Sequence, residues 1–278
     1  MSESIEDIGQ RVDAYSRWLR DRHSPALAFR SAEENAEFLL PHLHPGMSLL
    51  DAGCGPGSIT LGLARSVAPG HVVGFDLDSR AIDQARALAA KDGVSNVEFV
   101  EASIYATGFP DATFDVVFAH AVLQHLAEPG KAVMELLRVA KQGGLVALVD
   151  ADHGVSALWP ELPALLAANA LVERLRVSAD TSPRVGRELG RLLIEAGCVD
   201  TWHRTRASEP LTVDTARRTG QWQAAYFRAP QFRARVVENG HANIEELDAM
   251  ATAWEAWGAV PGALWARPWC EALARKPA

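Results

Sequence analysis

The sequence predicts an α/β fold: a doubly wound, mostly parallel sheet with helices on both faces. Two observations carry that expectation. Between residues 46 and 151, short and near-continuous apolar runs alternate with helical patterns in the order β-α-β-α-β-loop-β-α-β. Strands that are apolar throughout are buried on both faces, as parallel strands are. The first run also ends in a glycine-rich turn, Leu49-Leu50-Asp51-Ala52-Gly53-Cys54-Gly55-Pro56-Gly57, which opens into a helix from Ile59 to Ser66. In such sheets ligands bind beyond the carboxyl ends of the strands.

The turn narrows the ligand. Glycine tolerates unusual backbone angles and lets a ligand approach closely. The helix behind it offers unpaired N–H groups and a positive dipole end. A dinucleotide fingerprint reads G-x-G-x-x-G. Here the glycines stand at 53, 55 and 57, and Ser58 occupies the place of the fingerprint's third glycine. Asp51, two residues before the first glycine, would repel a pyrophosphate and suits a ligand with a cationic end, such as an ammonium or a sulfonium.

The next elements follow in order. His71-Val72-Val73-Gly74-Phe75-Asp76 reads as a buried strand ending in an acid. Such an acid can accept both hydroxyls of a ribose, or it can cap the helix expected over Ser79 to Lys91. Asn96 to Ser103 is a third strand. Phe109-Pro110-Asp111 leads to a fourth, Phe114 to His120. Beyond His120-Ala121-Val122-Leu123-Gln124-His125-Leu126, a helix is expected over Pro129 to Ala140, stopped by Gln142-Gly143-Gly144. Leu145 to Asp150 is the fifth strand.

The acid-x-Gly-x-Gly-x-Gly turn, Asp76 one strand later and the segment Phe109-Pro110-Asp111 to Phe114-Asp115-Val116-Val117 together resemble the class I S-adenosylmethionine-dependent methyltransferases. The last segment is similar to that of the ubiquinone-biosynthesis-type (methyltransferase type 11-like) small-molecule branch. The resemblance implies a Rossmann-like, seven-stranded sheet. It implies S-adenosylmethionine as methyl donor, with S-adenosylhomocysteine as product, held by Asp51, Gly53, Gly55, Gly57, Asp76, Leu77, Ser103, Ile104 and His120. Asp76 would bind the ribose and Leu77 would lie against the adenine. Ser103 stands where the family usually has an aspartate for the adenine amino group; its hydroxyl can still accept that bond. Ile104 would offer its backbone N–H to the ring. The implied organisation is an N-terminal helical lid over 1–35, a donor-binding core over 36–151, and a helical insert, last strands and C-terminal cap over 152–278 completing the same domain.

Methyl transfer from a sulfonium needs positioning first and a base only if the nucleophile is protonated. His120, His125 and His153 cluster at the ends of strands four and five and are the candidate catalytic bases; each can equally be a hydrogen-bonded support of its loop. No standard metal-ligand spacing is present, so no metal is expected. Cys54, Cys198 and Cys270 fit a reducing compartment.

Composition restricts the acceptor. A net charge of −8 without a basic run gives no nucleic-acid footprint, and the Asn/Asp-Pro-Pro-Tyr motif of enzymes that methylate base amines is replaced by Ala119-His120-Ala121-Val122. No apolar stretch has membrane-span length. A soluble cytoplasmic protein, monomer or homodimer, acting on a small molecule is therefore expected. The alternatives are an enzyme of this fold that uses the bound donor for a non-methylating reaction such as a cyclisation, and a nonenzymatic S-adenosylmethionine-binding module.

Seven of the eight tryptophans follow residue 150; they line a pocket or pack helices. Leu247, Met250, Ala251, Trp254 and Trp257 share one helical face, with Asn243 as its cap. Helices are expected over Leu162 to Val177 and from Pro183 to Ala196, a strand over Val199 to Ala207, and connections at Gly220 to Pro230 and Ala259 to Gly262.

Overall fold

The computed structural model describes residues 30–178, 180–207 and 212–278. Within them are nine strands: β1 (Leu49–Ala52), β2 (Val72–Asp76), β3 (Val97–Glu101), β4 (Phe114–His120), β5 (Ala140–Ala151), β6 (Ala157–Trp159), β7 (Val199–Ala207), β8 (Leu264–Ala266) and β9 (Pro268–Arg275). Seven form one sheet in the order β3-β2-β1-β4-β5-β9-β7; β6 and β8 form a separate ribbon. The pairs from β3 through β5 are parallel. Strand β9 is antiparallel to both of its neighbours. The sheet is thus the mostly parallel, seven-stranded one expected.

The helices are α1 (Ala32–Asn35), α2 (Ser58–Val67), α3 (Ser79–Asp92), α4 (Pro129–Val139), α5 (Pro163–Ser178), α6 (Leu189–Glu195), α7 (Val213–Arg228), α8 (Pro230–Glu238) and α9 (Ile244–Gly258). Alternate strand residues face opposite ways, so the sheet has two cores. Leu50, Phe75, Val117 and Val146 pack with Leu136 of α4 and Leu192 of α6. On the other face Leu49, Val72, Val116 and Phe118 pack with Leu63 and Val67 of α2. Helices α5, α7, α8 and α9 build a third core around Leu171, Phe227, Phe232, Leu247, Trp254 and Trp257. The lid expected over 1–35 lies outside the described residues, apart from 30–35.

Local chemistry fixes several boundaries. The Asp78 side chain accepts from Arg80 N at 3.0 Å and caps α3; the cap is therefore Asp78, and Asp76 is left to other partners. Asn243 and Glu246 form a reciprocal capping box at α9. Asp115, from the segment that resembles the small-molecule methyltransferases, is structural. Its carboxylate accepts from Ser48 N at 2.8 Å, from Ser48 Oγ at 2.7 Å and from Lys141 Nζ at 2.9 Å.

Three boundary expectations are corrected. Helix α4 ends at Val139 and β5 begins at once with Ala140. Gly143 and Gly144 are not a helix cap but lie within the strand, where Gly143 has φ 72° and a Cβ on Gly144 would stand 3.0 Å from the Asp115 carbonyl. No helix starts at Pro183; a 3₁₀ turn over Val185–Glu188 precedes α6. There the backbone crosses the end of β5 closely enough that a Cβ on Gly186 would meet the Asp150 carbonyl at 2.8 Å. Finally, Gly220 is inside α7 rather than in a connection. Helices α7 and α9 approach so closely that a Cβ on Gly220 would lie 2.5 Å from the Trp254 carbonyl oxygen and 3.0 Å from Gly258 Cα. The glycine permits backbone contact, which outweighs its poor helix propensity.

Gly220→Ala is accordingly expected to destabilise the protein by roughly 1–3 kcal/mol, because backbone rather than a side-chain tip must move. Chemical denaturation checks this; a variant as stable as the parent would show that the two helices can separate freely.

Candidate active site

The carboxyl ends of β1, β2, β4 and β5 open onto one cavity of about 560 Å³, reaching from the glycine turn to helices α5 and α7. That volume is within the range of about 300–1,000 Å³ of small-molecule sites.

One end is built by the turn. Gly53, Gly55 and Gly57 all adopt positive φ. Gly53 N and Cys54 N donate to the Phe75 carbonyl at 2.7 and 2.9 Å, which ties the turn to the end of β2. A Cβ on Gly53 would lie 2.5 Å from Val122 Cγ2. Gly57 is the N-cap of α2 and provides no side-chain hydrogen bond, so no side chain of the cap competes for the first-turn N–H groups. Gly55 N donates to Asp76 Oδ2 at 3.1 Å, and Asp78 N to Asp76 Oδ1 at 2.9 Å. Asp76 is thus held rigidly at the lip of the cavity.

Asp51 is buried and accepts from Thr60 Oγ1 at 2.6 Å. Burial pushes its carboxyl up to about 7, with the hydroxyl of Thr60 opposing and the charge of Asp76 adding. An approaching cation would draw it down again. Leu77 is exposed at the cavity wall, and Ile104 is buried in it. Ser103 also lines the cavity; its Oγ accepts from Tyr105 N at 3.3 Å and so closes the turn after β3.

The ends of β4 and β5 form the middle. Asp150 is fully buried and accepts from Leu123 N at 3.0 Å and Gln124 N at 3.3 Å, which pins the 3₁₀ turn Leu123–His125 over the sheet. Burial raises its carboxyl to about 7. His120 is buried and stacks on Trp269, with ring centroids 5.0 Å apart. Burial, with Arg30 and Arg206 adding, holds its imidazole well below the usual histidine range. His153 shares a 2.6 Å hydrogen bond between its Nε2 and Gln124 Oε1, and burial likewise keeps it neutral. His120, His125 and His153 all line the cavity, as do Asp51, Gly53, Gly55, Asp76, Leu77, Ser103 and Ile104. Gly57 does not line it; a Cβ there would meet Ala85 at 2.9 Å and Phe99 at 3.0 Å, so this glycine serves helix packing.

The far end is made by residues that the sequence reading did not single out. Arg176 of α5 and Arg267 between β8 and β9 line the cavity beside Trp222, Tyr226 and Trp265, whereas Arg30 lines it nearer His120, 5.6 Å from the Trp269 ring centroid. They come from remote segments without a common motif, and only the excess of tryptophan after residue 150 signals that end. Of the seven tryptophans there, Trp222, Trp265 and Trp269 line the cavity, Trp254 and Trp257 are core, and Trp159 and Trp202 are exposed.

Among the described residues, no group of three or more His, Cys, Asp or Glu is placed to hold a metal ion. No helix among them is long and apolar enough to cross a membrane.

Comparison with known proteins agrees with this geometry. The family model for the methyltransferase domain matches residues 43–205. An uncharacterized methyltransferase of Schizosaccharomyces pombe is 32% identical over 241 residues, covering 83% of this chain and 84% of that protein. The demethylmenaquinone methyltransferase of Lactococcus lactis is 33% identical over 109 residues, covering 39% of this chain and 43% of its own length. The solved structure of the YcgJ protein of Bacillus subtilis superposes with a TM-score of 0.58 at 20% identity, over 88% of this chain and 99% of that one; this likeness concerns the fold. The chain belongs to the methyltransferase domain family.

Proposed function

We propose that this methyltransferase transfers a methyl group from S-adenosylmethionine to a small-molecule acceptor. The observation that carries the reading is the single cavity with an acid-and-glycine end and an aromatic end, joined at the ends of β4 and β5. The first end fits the donor on its own chemistry. Asp51 offers a buried carboxylate to an ammonium, the Asp76 carboxylate at the lip of the cavity suits a pair of hydroxyls, and Gly55 leaves open space where a side chain would stand.

When bound, the donor supplies a methyl group on a sulfonium, an electrophile that needs no further activation. The chain's own task is therefore positioning, worth on the order of 7–11 kcal/mol when a nucleophile is held in line at about 3–3.5 Å. The aromatic wall of Trp222, Tyr226 and Trp265 holds the acceptor and excludes water. For an acceptor that carries a proton, the cavity has neutral imidazoles at His120 and His153, the second oriented by Gln124. Burial weakens both as bases, which favours an acceptor that is already acidic or unprotonated.

Incubation with S-adenosylmethionine and panels of small acceptors should yield S-adenosylhomocysteine together with a product one methylene heavier. S-adenosylhomocysteine never formed would overturn the reading, and a product of unchanged formula would point to a non-methylating reaction.

Two variants test the donor end. Asp76→Ala is expected to weaken S-adenosylhomocysteine binding by about 10²-fold, the loss of two charge-assisted hydrogen bonds, with the circular dichroism spectrum retained. Calorimetry giving an unchanged affinity would remove Asp76 from the ribose site. Asp51 titrates near 7 when the cavity is free, and a bound ammonium lowers that value, so binding releases a proton. Affinity should therefore rise up to about ten-fold per pH unit between roughly pH 5.5 and 7 and then level off. Asp51→Asn should bind more weakly and flatten the profile; a variant that keeps the parent's slope would assign the proton to another group.

A further inference from the structure

Arg176, at the far end, differs from its neighbours. Around the cavity, Arg187 pairs with Asp152, Arg184 with Glu173, and Arg204 and Arg206 both with Glu271. Among the described residues Arg176 has no such partner. Its Nε and Nη1 are buried and have no hydrogen-bond acceptor among the described residues. A guanidinium carries five donors and cannot shed its charge, so leaving it unsatisfied away from water is costly.

The nearby acid does not resolve this. Asp150 feels the charge of Arg176, but its carboxylate is engaged by the backbone N–H groups of Leu123 and Gln124. A second guanidinium increases the charge: Arg267 lines the same end, close enough to Arg176 for the two to repel. Arg267 stands over the Trp265 ring, 4.9 Å from its centroid, which fixes its plane. Loss of water around Arg267 already lowers its guanidinium to about 10. Beside this corner, Trp222 and Tyr226 are stacked with centroids 6.4 Å apart and form a flat apolar wall.

We infer that the acceptor is an anion: it carries an oxyacid group, a carboxylate or phosphate, which docks between Arg176 and Arg267 while its apolar or aromatic frame lies against Trp222, Tyr226 and Trp265. This rests on the aromatic end being the acceptor's. Two guanidiniums match the two or three oxygens of such a group, and the anion supplies the acceptors that Arg176 lacks. The group sits beside His153 and Gln124 and away from Asp51 and Asp76, so donor and acceptor anchor at opposite ends of the cavity.

The test uses the full chain saturated with S-adenosylhomocysteine and titrated with 1-naphthoate, 1-naphthyl phosphate and the neutral 1-naphthamide by calorimetry. At least one anion is expected to bind about ten-fold or more tightly than the amide, and whichever anion leads identifies the oxyacid. Arg176→Gln and Arg267→Gln should each reduce that preference to about three-fold or less while changing S-adenosylhomocysteine affinity by no more than about two-fold. Arg176→Lys keeps a charge without the fork and should retain part of the preference, a check if a glutamine variant does not fold. Equal binding of the three probes, or a preference that survives Arg176→Gln, overturns the inference. So does an Arg176→Gln variant that loses S-adenosylhomocysteine as severely as the anion, because the guanidinium would then serve the donor's carboxylate. If the parent protein binds no S-adenosylhomocysteine, the donor assignment fails instead, and the probe titrations on the unloaded chain still decide the anion site.

Discussion

Strand β1 pairs in parallel with β2 on one side and with β4 on the other, so the chain winds outward from it in both directions. That reversal leaves a crevice above the β1 and β4 ends which no crossover helix covers. The chemistry of the site follows from this constraint. Parallel strands bring their carboxyl ends to one edge, and there Asp51, Asp76 and Asp150 stand on β1, β2 and β5. Each must be satisfied in a place with little water, and each is: by Thr60, by Gly55 and Asp78, and by Leu123 and Gln124. The same bonds fix the two loops that border the crevice. The glycine turn is held by β2, and the Leu123–His125 turn is held by β5. Asp76 and Asp150 therefore organise backbone before they meet any ligand.

Polarity also has a direction along the cavity. Asp51 and Asp76 stand at the glycine end and Arg176 and Arg267 at the aromatic end, with neutral imidazoles between. In a low-dielectric space such a separation orients a charged guest more strongly than it would in water. Methyl transfer consumes the positive charge of a sulfonium and its thioether leaves neutral, so no charge on the leaving group has to be stabilised. Positioning and shielding can then provide most of the catalysis.

How much of this was legible in the sequence depends on whether a feature is local. The first turn, β4 and the α9 face were readable because their signals lie within a few residues: a glycine period, an apolar run ending at His120, and a stripe from Leu247 to Trp257. Boundary errors arose where tertiary contact decides a glycine's role. Gly220 looks like a break until α9 is laid against it, and Gly143 looks like a cap until β5 is seen to start at Ala140. The donor residues implied by the resemblance lie in short segments, at 51–57, 76–77, 103–104 and 120, each at the end of a strand. Arg176 and Arg267 are far apart in sequence and meet only through the packing of α5 and the return of the chain between β8 and β9, so no spacing announces them. The tryptophan excess pointed to the right half of the chain but did not separate Trp222 and Trp265, which line the cavity, from Trp254 and Trp257, which are core.

Strand β9 lies between β5 and β7, and among the described residues β7 pairs with no other strand. Ala151 thus finds its partner Trp269 only after the whole helical insert has been made. Closing so long a loop is entropically unfavourable before its contacts form, which makes this pairing a slow event in folding. Until then β7 is a bare strand, open on both sides to pairing with another molecule. Its sequence contains Asp200, Arg204 and Arg206, charges that discourage such pairing. Arg204 and Arg206 later converge on Glu271 of the arriving strand. Residues that guard the edge against aggregation thus become the clamp that receives β9, and the cavity gains Trp269 only at that step.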